Sequence, residues 1–387
     1  MTVDLIKRLE EAKDRFMNGD LGRREFLKIL GLAGVSAGLV SLPVGRLAPS
    51  ARAAKKSIRF DGWGGSTSEA FSNYAFKPFT KSTGVEVIEG EFGDEDTYLT
   101  RVKASFPPGG EFNLFHASGL FDYKRYIDLD FGVVLDESKI PNLKNVMDAM
   151  IKPYRALSNG TLSAVPYDYG QTAICYNSKH IPKEKAESLG VKLLWDKSLK
   201  GKLASVASNK GNIWYAALYT GQHPNDIKDL DAVWNALREQ RKLIKKYWSS
   251  GAELMSLLGN EEIYATIAWS GRVANLQAQG HPIELMLIDN GYSWQECIFV
   301  IKGSDLDVAH ELLNFMLEPE CSIAVAVAQN YPSSLDPSKV EMPEAVKKIP
   351  TFDPTGTLKG FLWADPPFWN SNQVKFGEMW DRIKAGG

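Results

Sequence analysis

The side chains that could make or break bonds are few in this chain, and they are poorly spaced for it. Gly34-Val35-Ser36-Ala37-Gly38 has the spacing of a nucleophile elbow. That motif works only on a strand–turn–helix, which exposes the serine, and no strand pattern precedes it here. Gly62-x-Gly64-x-x-Thr67 follows an apolar run and opens a helical pattern. As a dinucleotide fingerprint it lacks the third glycine and the acid that would hold a ribose. The more useful reading of this turn is a helix start whose free N–H groups face a ligand. No phosphate loop of the GxxxxGK[ST] type and no HExxH metal pair occurs. The five histidines, at 116, 180, 223, 281 and 310, do not fall at ligand spacing. The three cysteines, at 175, 297 and 321, form no CxxC, so neither zinc nor a disulfide framework is expected. The chain therefore presents no catalytic residues, and neither cofactor nor metal is expected.

The elements around these residues alternate. Ser57–Asp61 reads as a strand, followed by a Gly-rich turn and a helix to about Lys81 that Gly84 closes. Val85–Phe92 is the next strand, then a helix at about Thr97–Ser105 and a strand at Phe112–His116. This β-α-β-α-β order predicts a parallel sheet covered by helices. Thr161–Pro166 and Ala173–Tyr176 read as two strands about a Tyr-Asp-Tyr-Gly turn. Asp229–Trp248 reads as one long amphipathic helix, and Val308, Leu312, Phe315 and Met316 stripe another.

With 387 residues there is room for two ordinary domains. Hydrophobic residues make up 44% and charged residues 24%, a globular balance. Basic residues number 45 and acidic ones 47, a net charge of −2 that excludes a polybasic nucleic-acid binder. The first fifty residues read as an address. Arg23-Arg24 precede a weakly apolar stretch, Ile29 to Val44, and then Ala51-Arg52-Ala53, where a signal peptidase could cut. The stretch is too short and too rich in glycine to span a bilayer comfortably. Residues 1–53 thus resemble a twin-arginine signal peptide, which implies export of the folded chain by the twin-arginine machinery to the periplasm. A retained anchor remains the alternative. Cleavage would leave 334 residues with 36 basic and 41 acidic side chains.

A family resemblance is carried by blocks in order. IRFDGWGG (58–65) resembles the opening strand and Trp turn of the spermidine/putrescine-type periplasmic solute-binding proteins of ABC importers. LSAVPYDYGQTAICYN (162–177) resembles the family's first crossing between lobes, IAWSGR (267–272) its second and GYSWQECIFVIKGS (291–304) its third. LLWDKSLKGKLAS (193–205), ELLNFMLEPE (311–320) and QNYPSS (329–334) fit between and after them. The resemblance implies a two-lobed α/β periplasmic binding protein fold of type II with three interlobe crossings. On this chain it puts lobe one at 54–165 and 272–300, and lobe two at 170–267 and 305–387. A small solute would be bound between the lobes and delivered to a permease and ATPase complex.

The resemblance also implies the cleft residues: Trp63, Ser118, Asp168, Tyr169, Trp269, Arg272, Trp294, Glu296 and Tyr331. Each has a plain structural alternative, such as a core Trp at 63, a turn Ser at 118 or a surface ion pair at Arg272. Trp63, Trp269 and Trp294 could sandwich an alkyl chain or an ammonium. The chain departs from the polyamine pattern after KGKLASVA, where Asn209 and Asn212, with Lys210 between them, stand in place of two carboxylates. Arg272 adds a positive charge that suits a carboxylate. An amino-acid-like or opine-like zwitterion is therefore an alternative to a polyamine. An exported enzyme on the same scaffold, or a receptor that signals without transport, would be a different class of function.

Overall fold

The computed structural model describes residues 56–93, 95–105 and 111–387. The leader expectation for residues 1–53 lies outside the described residues. Among the described residues no helix is long and apolar enough to cross a membrane.

Ten strands form one sheet: β1 Ser57–Gly62, β2 Glu86–Glu91, β3 Leu114–Ser118, β4 Ala164–Asn177, β5 Leu203–Val206, β6 Ile244–Trp248, β7 Ala265–Trp269, β8 Ile283–Met286, β9 Tyr292–Val300 and β10 Leu362–Trp363. The main order is β2-β1-β3-β9-β4-β7-β5-β6. At one end β2, β1 and β3 are parallel, and at the other β7, β5 and β6 are parallel. Short strand–helix–strand turns require that arrangement, since parallel neighbours need a crossover helix. The two parallel groups are joined by β9 and β4, which run antiparallel to each other and to their outer neighbours.

Two hydrophobic cores flank this central pair. The first gathers Phe60, Phe71, Phe79, Tyr98, Leu114 and Phe115 with Phe299, Val308, Leu312 and Val325. The second gathers Ile174, Leu203, Ile213, Trp214, Val233, Trp248, Ile267, Val273 and Leu276 with Trp369 and Trp380. β4 and β9 contribute to both, which makes them the chain's crossings. The remaining link is the segment 331–363, whose β10 pairs beside β9.

Several expectations are corrected. Residues 164–177 are one fully buried strand with an irregularity between Pro166 and Asp168, not two strands about a turn. The long apolar run has neighbours on both sides, so no turn interrupts it. Asp229–Trp248 divides into a helix, Leu230–Arg241, and β6, because Ile244–Trp248 adds to the edge of β5. IAWSGR is no crossing: Ile267, Val273 and Leu276 all lie in the second core. The helix Leu306–Met316 packs in the first core, whereas the sequence placed 305–387 in the second lobe. The helix Gly65–Phe71 runs on through a π turn to Thr83, and Gly84 closes it with left-handed backbone, as the sequence indicates. All three cysteines are buried and unpaired.

Candidate functional site

One face of the central strands collects most of the expected cleft residues. Residues directly opposite in an antiparallel ladder share a face, and alternate residues along a strand do too. Ser118 opposes Glu296, and Glu296 opposes Asp168. Two residues along β9, Trp294 opposes Gly170, and two further on Tyr292 opposes Thr172, itself opposite Trp269. The face therefore reads as an acid pair, then an indole, then a tyrosine.

The irregularity at Pro166–Asp168 builds the acid pair. Pro166 opposes Cys297 and Asp168 opposes Glu296, so Tyr167 is the extra residue. Without that insertion Asp168 would fall opposite Gln295 and turn away; a bulge re-aims side chains in this way. Tyr169, next along, opposes Gln295 and takes the other face. Its hydroxyl accepts the Asp353 N–H at 3.0 Å and its ring meets Phe361 edge-on, so Tyr169 is a packing residue outside the cleft.

Both carboxyls of the pair are buried. Burial pushes the Asp168 pKa up to about 7, and the Gln329 amide, donating at 2.6 Å, opposes that rise. Its other oxygen, Oδ1, has no hydrogen-bond partner. Burial and the neighbouring Asp168 raise Glu296 well above the carboxylate range, while the Trp63 indole and the Arg272 charge pull it back. Trp63 Nε1 donates to Glu296 Oε2 at 2.7 Å. Two neighbouring carboxyls that lack a cation hold their protons in this way.

Aromatic rings surround the pair. Trp294 meets Tyr331 edge-on at 4.9 Å, and Trp63 leans on Phe92 at 4.6 Å. Their places depend on absent side chains. A Cβ on Gly170 would lie 2.6 Å from the Trp294 ring, and one on Gly271 would lie 2.6 Å from the Tyr331 ring. Burial pushes the Tyr331 hydroxyl up to about 12. Trp269 is half-buried against Trp248, ring centroids 5.0 Å apart.

Arg272 reaches this region from the helix Ser270–Ala278, which packs in the second core. Its guanidinium donates to Ser66 Oγ, and to Thr67 Oγ1 at 3.3 Å. These hydroxyls sit at the start of the first core's helix Gly65–Phe71. The turn expected to offer bare N–H groups to a ligand thus meets an arginine through its hydroxyls. A Cβ on Gly251 would come within 2.5 Å of the Arg272 Nε.

Asn209 and Asn212 do not replace the missing carboxylates. Asn212 is buried in the first turn of the helix Asn209–Tyr219, after β5; its oxygen accepts from Ser205 Oγ at 2.6 Å, and its amide donates to the carbonyls of Val206 and Ser208. Every hydrogen-bonding direction that turn needs is filled by Asn212, so none points to a solute. Asn209 lies beside Gly377 of the last helix. Sequence reasoning missed Gln329, Ser66 and Thr67; all three lie inside or beside the quoted blocks, but polar residues of this kind carry no spacing signal.

Among the described residues no cluster of His, Cys, Asp and Glu could hold a metal ion.

A two-winged α/β sheet whose crossing strands carry acids and indoles is the form of a solute-binding protein. The family model of the bacterial extracellular solute-binding proteins matches residues 74–353, and the chain belongs to that family. The spermidine/putrescine-binding periplasmic protein of Escherichia coli is 24% identical over 318 residues, covering 80% of this chain and 87% of that protein. Solved structures share the fold. The spermidine/putrescine substrate-binding protein PotD of Streptococcus pneumoniae superposes with a TM-score of 0.69 at 20% identity, over 86% of this chain and 99% of that one. A GABA receptor superposes with a TM-score of 0.70 at 20% identity, over 85% and 98%.

Proposed function

We propose that this chain is the periplasmic solute-binding subunit of an ABC importer and holds a small amine, polyamine-like or amino-acid-derived, between two lobes. The observation that carries the reading is the pair Asp168 and Glu296, buried together and ringed by Trp63, Trp294 and Tyr331. Two buried carboxyls without a cation are costly to ionise, and an ammonium relieves that cost. Aromatic faces hold the same ammonium or its alkyl chain. The names of the spermidine/putrescine-binding relatives support this chemistry. The zwitterion reading is favoured by Arg272, whose charge reaches Glu296, and by the GABA receptor among the structural neighbours.

In this reading lobe one is built on residues 56–167 and 297–329, and lobe two on 174–288 and 364–385, with β4 and β9 as hinges. Closure on the solute presents the closed form to a permease and ATPase complex. The chain binds and does not turn over its solute. Export by the twin-arginine route rests on the sequence alone: Arg23-Arg24, the apolar stretch Ile29 to Val44 and Ala51-Arg52-Ala53. Lysine at both positions should leave the protein in the cytoplasm, as read by cell fractionation, and normal delivery would defeat that route.

Calorimetric titration with putrescine, spermidine and a panel of amino acids tests the solute class. Tight binding of an amine-bearing member supports it; binding only of sugars or anions overturns it.

A further inference from the structure

The acid pair is one end of the cleft face. The other end belongs to Lys210, which the helix Asn209–Tyr219 brings from the second core. Its ammonium stands 3.7 Å from the centre of the Phe121 ring, a cation–π distance, and shares a cavity with Tyr292. Phe121 lies on the helix Gly119–Asp128, which follows β3 of the first group, yet packs in the second core. Lys210 thus sits where the two halves meet. With Ser118, Tyr292 and Trp294 it lines a cavity of about 20 Å³. Trp294 Nε1 is buried without a partner.

Lys210 itself lies in the field of two acids. Burial and the neighbouring Asp122 charge raise the Glu95 carboxyl well above its ordinary range, and the Ser118 N–H donates to Glu95 Oε1 at 2.9 Å. Asp122 takes Arg125 on one oxygen at 2.8 Å, and its other oxygen is buried without a hydrogen-bond partner. Burial pulls the Lys210 pKa down, but the fields of Tyr292, Asp122 and Glu95 outweigh it and keep the ammonium charged. The chain therefore holds two pairs of acids, one on either side of Ser118, and sets the charge of its own lysine near one of them.

Resting on the amine reading above, we propose that Lys210 is a built-in ammonium that closes the far end of the cleft and restricts the solute to one cationic group, with a neutral or anionic far end. The geometry carries the argument. A solute whose ammonium lies between Asp168 and Glu296 and whose chain crosses Trp294 points along β9 toward Tyr292, four residues or ~13 Å from Glu296. There it meets Lys210. A second ammonium would face a like charge, a juxtaposition that suppresses binding. A carboxylate or hydroxyl would accept a hydrogen bond from Lys210 or Tyr292.

The test is calorimetric titration of the wild type, Lys210→Met and Lys210→Arg with two probes of equal carbon length, putrescine and 4-aminobutyrate. Circular dichroism and melting curves first establish that each variant is folded. The wild type should prefer 4-aminobutyrate. Methionine keeps the stem without the charge, and should move the affinity ratio at least about tenfold toward putrescine. Arginine keeps the charge and should hold the wild-type preference. A folded Lys210→Met that binds both probes in the wild-type ratio overturns the role of Lys210 and leaves the amine site standing. A wild type that binds putrescine more tightly than 4-aminobutyrate overturns it as well. Failure of the wild type to bind either probe removes the amine reading itself, and this role with it.

Discussion

Asp168 and Glu296 tie stability to function through their protons. In an unfolded chain both titrate near ~4. In the fold, burial holds the proton on Asp168 to about pH 7, and holds it on Glu296 to well above its ordinary range. Between about pH 4 and 7 the native state thus binds more protons than the unfolded one, and stability falls as pH rises. Asp168→Asn removes that penalty and can still accept the Gln329 amide. At pH 8 it should stabilise the free protein by up to about 4 kcal/mol, the value of a pKa carried from 3.8 to about 7. At pH 4 the gain should vanish, and scanning calorimetry at both pH values reads the difference. The same substitution should weaken an amine by roughly 30-fold or more, because one carboxylate partner of a buried cation is gone. Cation binding in the wild type favours the ionised carboxyls and must release protons near neutral pH. Titrations in buffers of different ionisation enthalpy should show that release, and a buffer-independent heat would contradict it.

At the scale of elements, the central strands position the site by an inserted residue and by missing side chains. Gly170 is where Trp294 lies across β4, and an added Cβ would meet the ring at 2.6 Å. Gly170→Ala must displace the indole, because three of its ring atoms would lie within 3.2 Å of the new Cβ while the edge-on Tyr331 ring holds the indole in place. Loss of at least about tenfold in amine affinity is expected, with a shifted tryptophan emission and the fold retained. An unchanged emission and affinity would show that Trp294 does not need that space. These details mark what the sequence could and could not reveal. Ser57–Gly62 and the helix closed by Gly84 were legible because period and punctuation record them, whereas Trp294 and Glu296 were reached only through the family resemblance. The placement of Asp168 on the Glu296 face was not, since a bulge shifts face by one residue and leaves no pattern. Nor was the burial of Asn212, whose amide serves a turn, or the division of Asp229–Trp248, where an edge pairing with β5 decided for strand. Tyr169 was lost for the same reason as Asp168 was gained: adjacent residues on a strand face opposite ways.

For the whole molecule, the question is what holds the two halves together. The helix Ser270–Ala278 packs in the second core but meets the first half, or the link that leaves it, at three points. Arg272 donates to Ser66 and Thr67, the backbone at Gly271 lies against the Tyr331 ring, and Asn275 accepts from the Asn330 amide at 2.5 Å. Only two strands and the segment 331–363 connect the halves covalently, so polar contacts of this kind set the balance between open and closed forms. A hydrogen bond from a charged donor contributes roughly 1.5–3 kcal/mol, enough to shift that balance about ten- to a hundredfold. Arg272→Ala removes two such bonds at once while leaving the helix in its core, since Val273 and Leu276 supply its packing. Small-angle scattering should then give the variant a larger radius of gyration than the wild type in the absence of solute. A saturating amine should shrink both, because the acid pair on β4 and β9 still draws the halves together around an ammonium. The variant should need more solute to reach the same radius, as the binding energy must also close the molecule. If the two proteins show the same radius with and without amine, Arg272 does not hold the halves together, and closure must rest on the Tyr331 and Asn330 contacts instead.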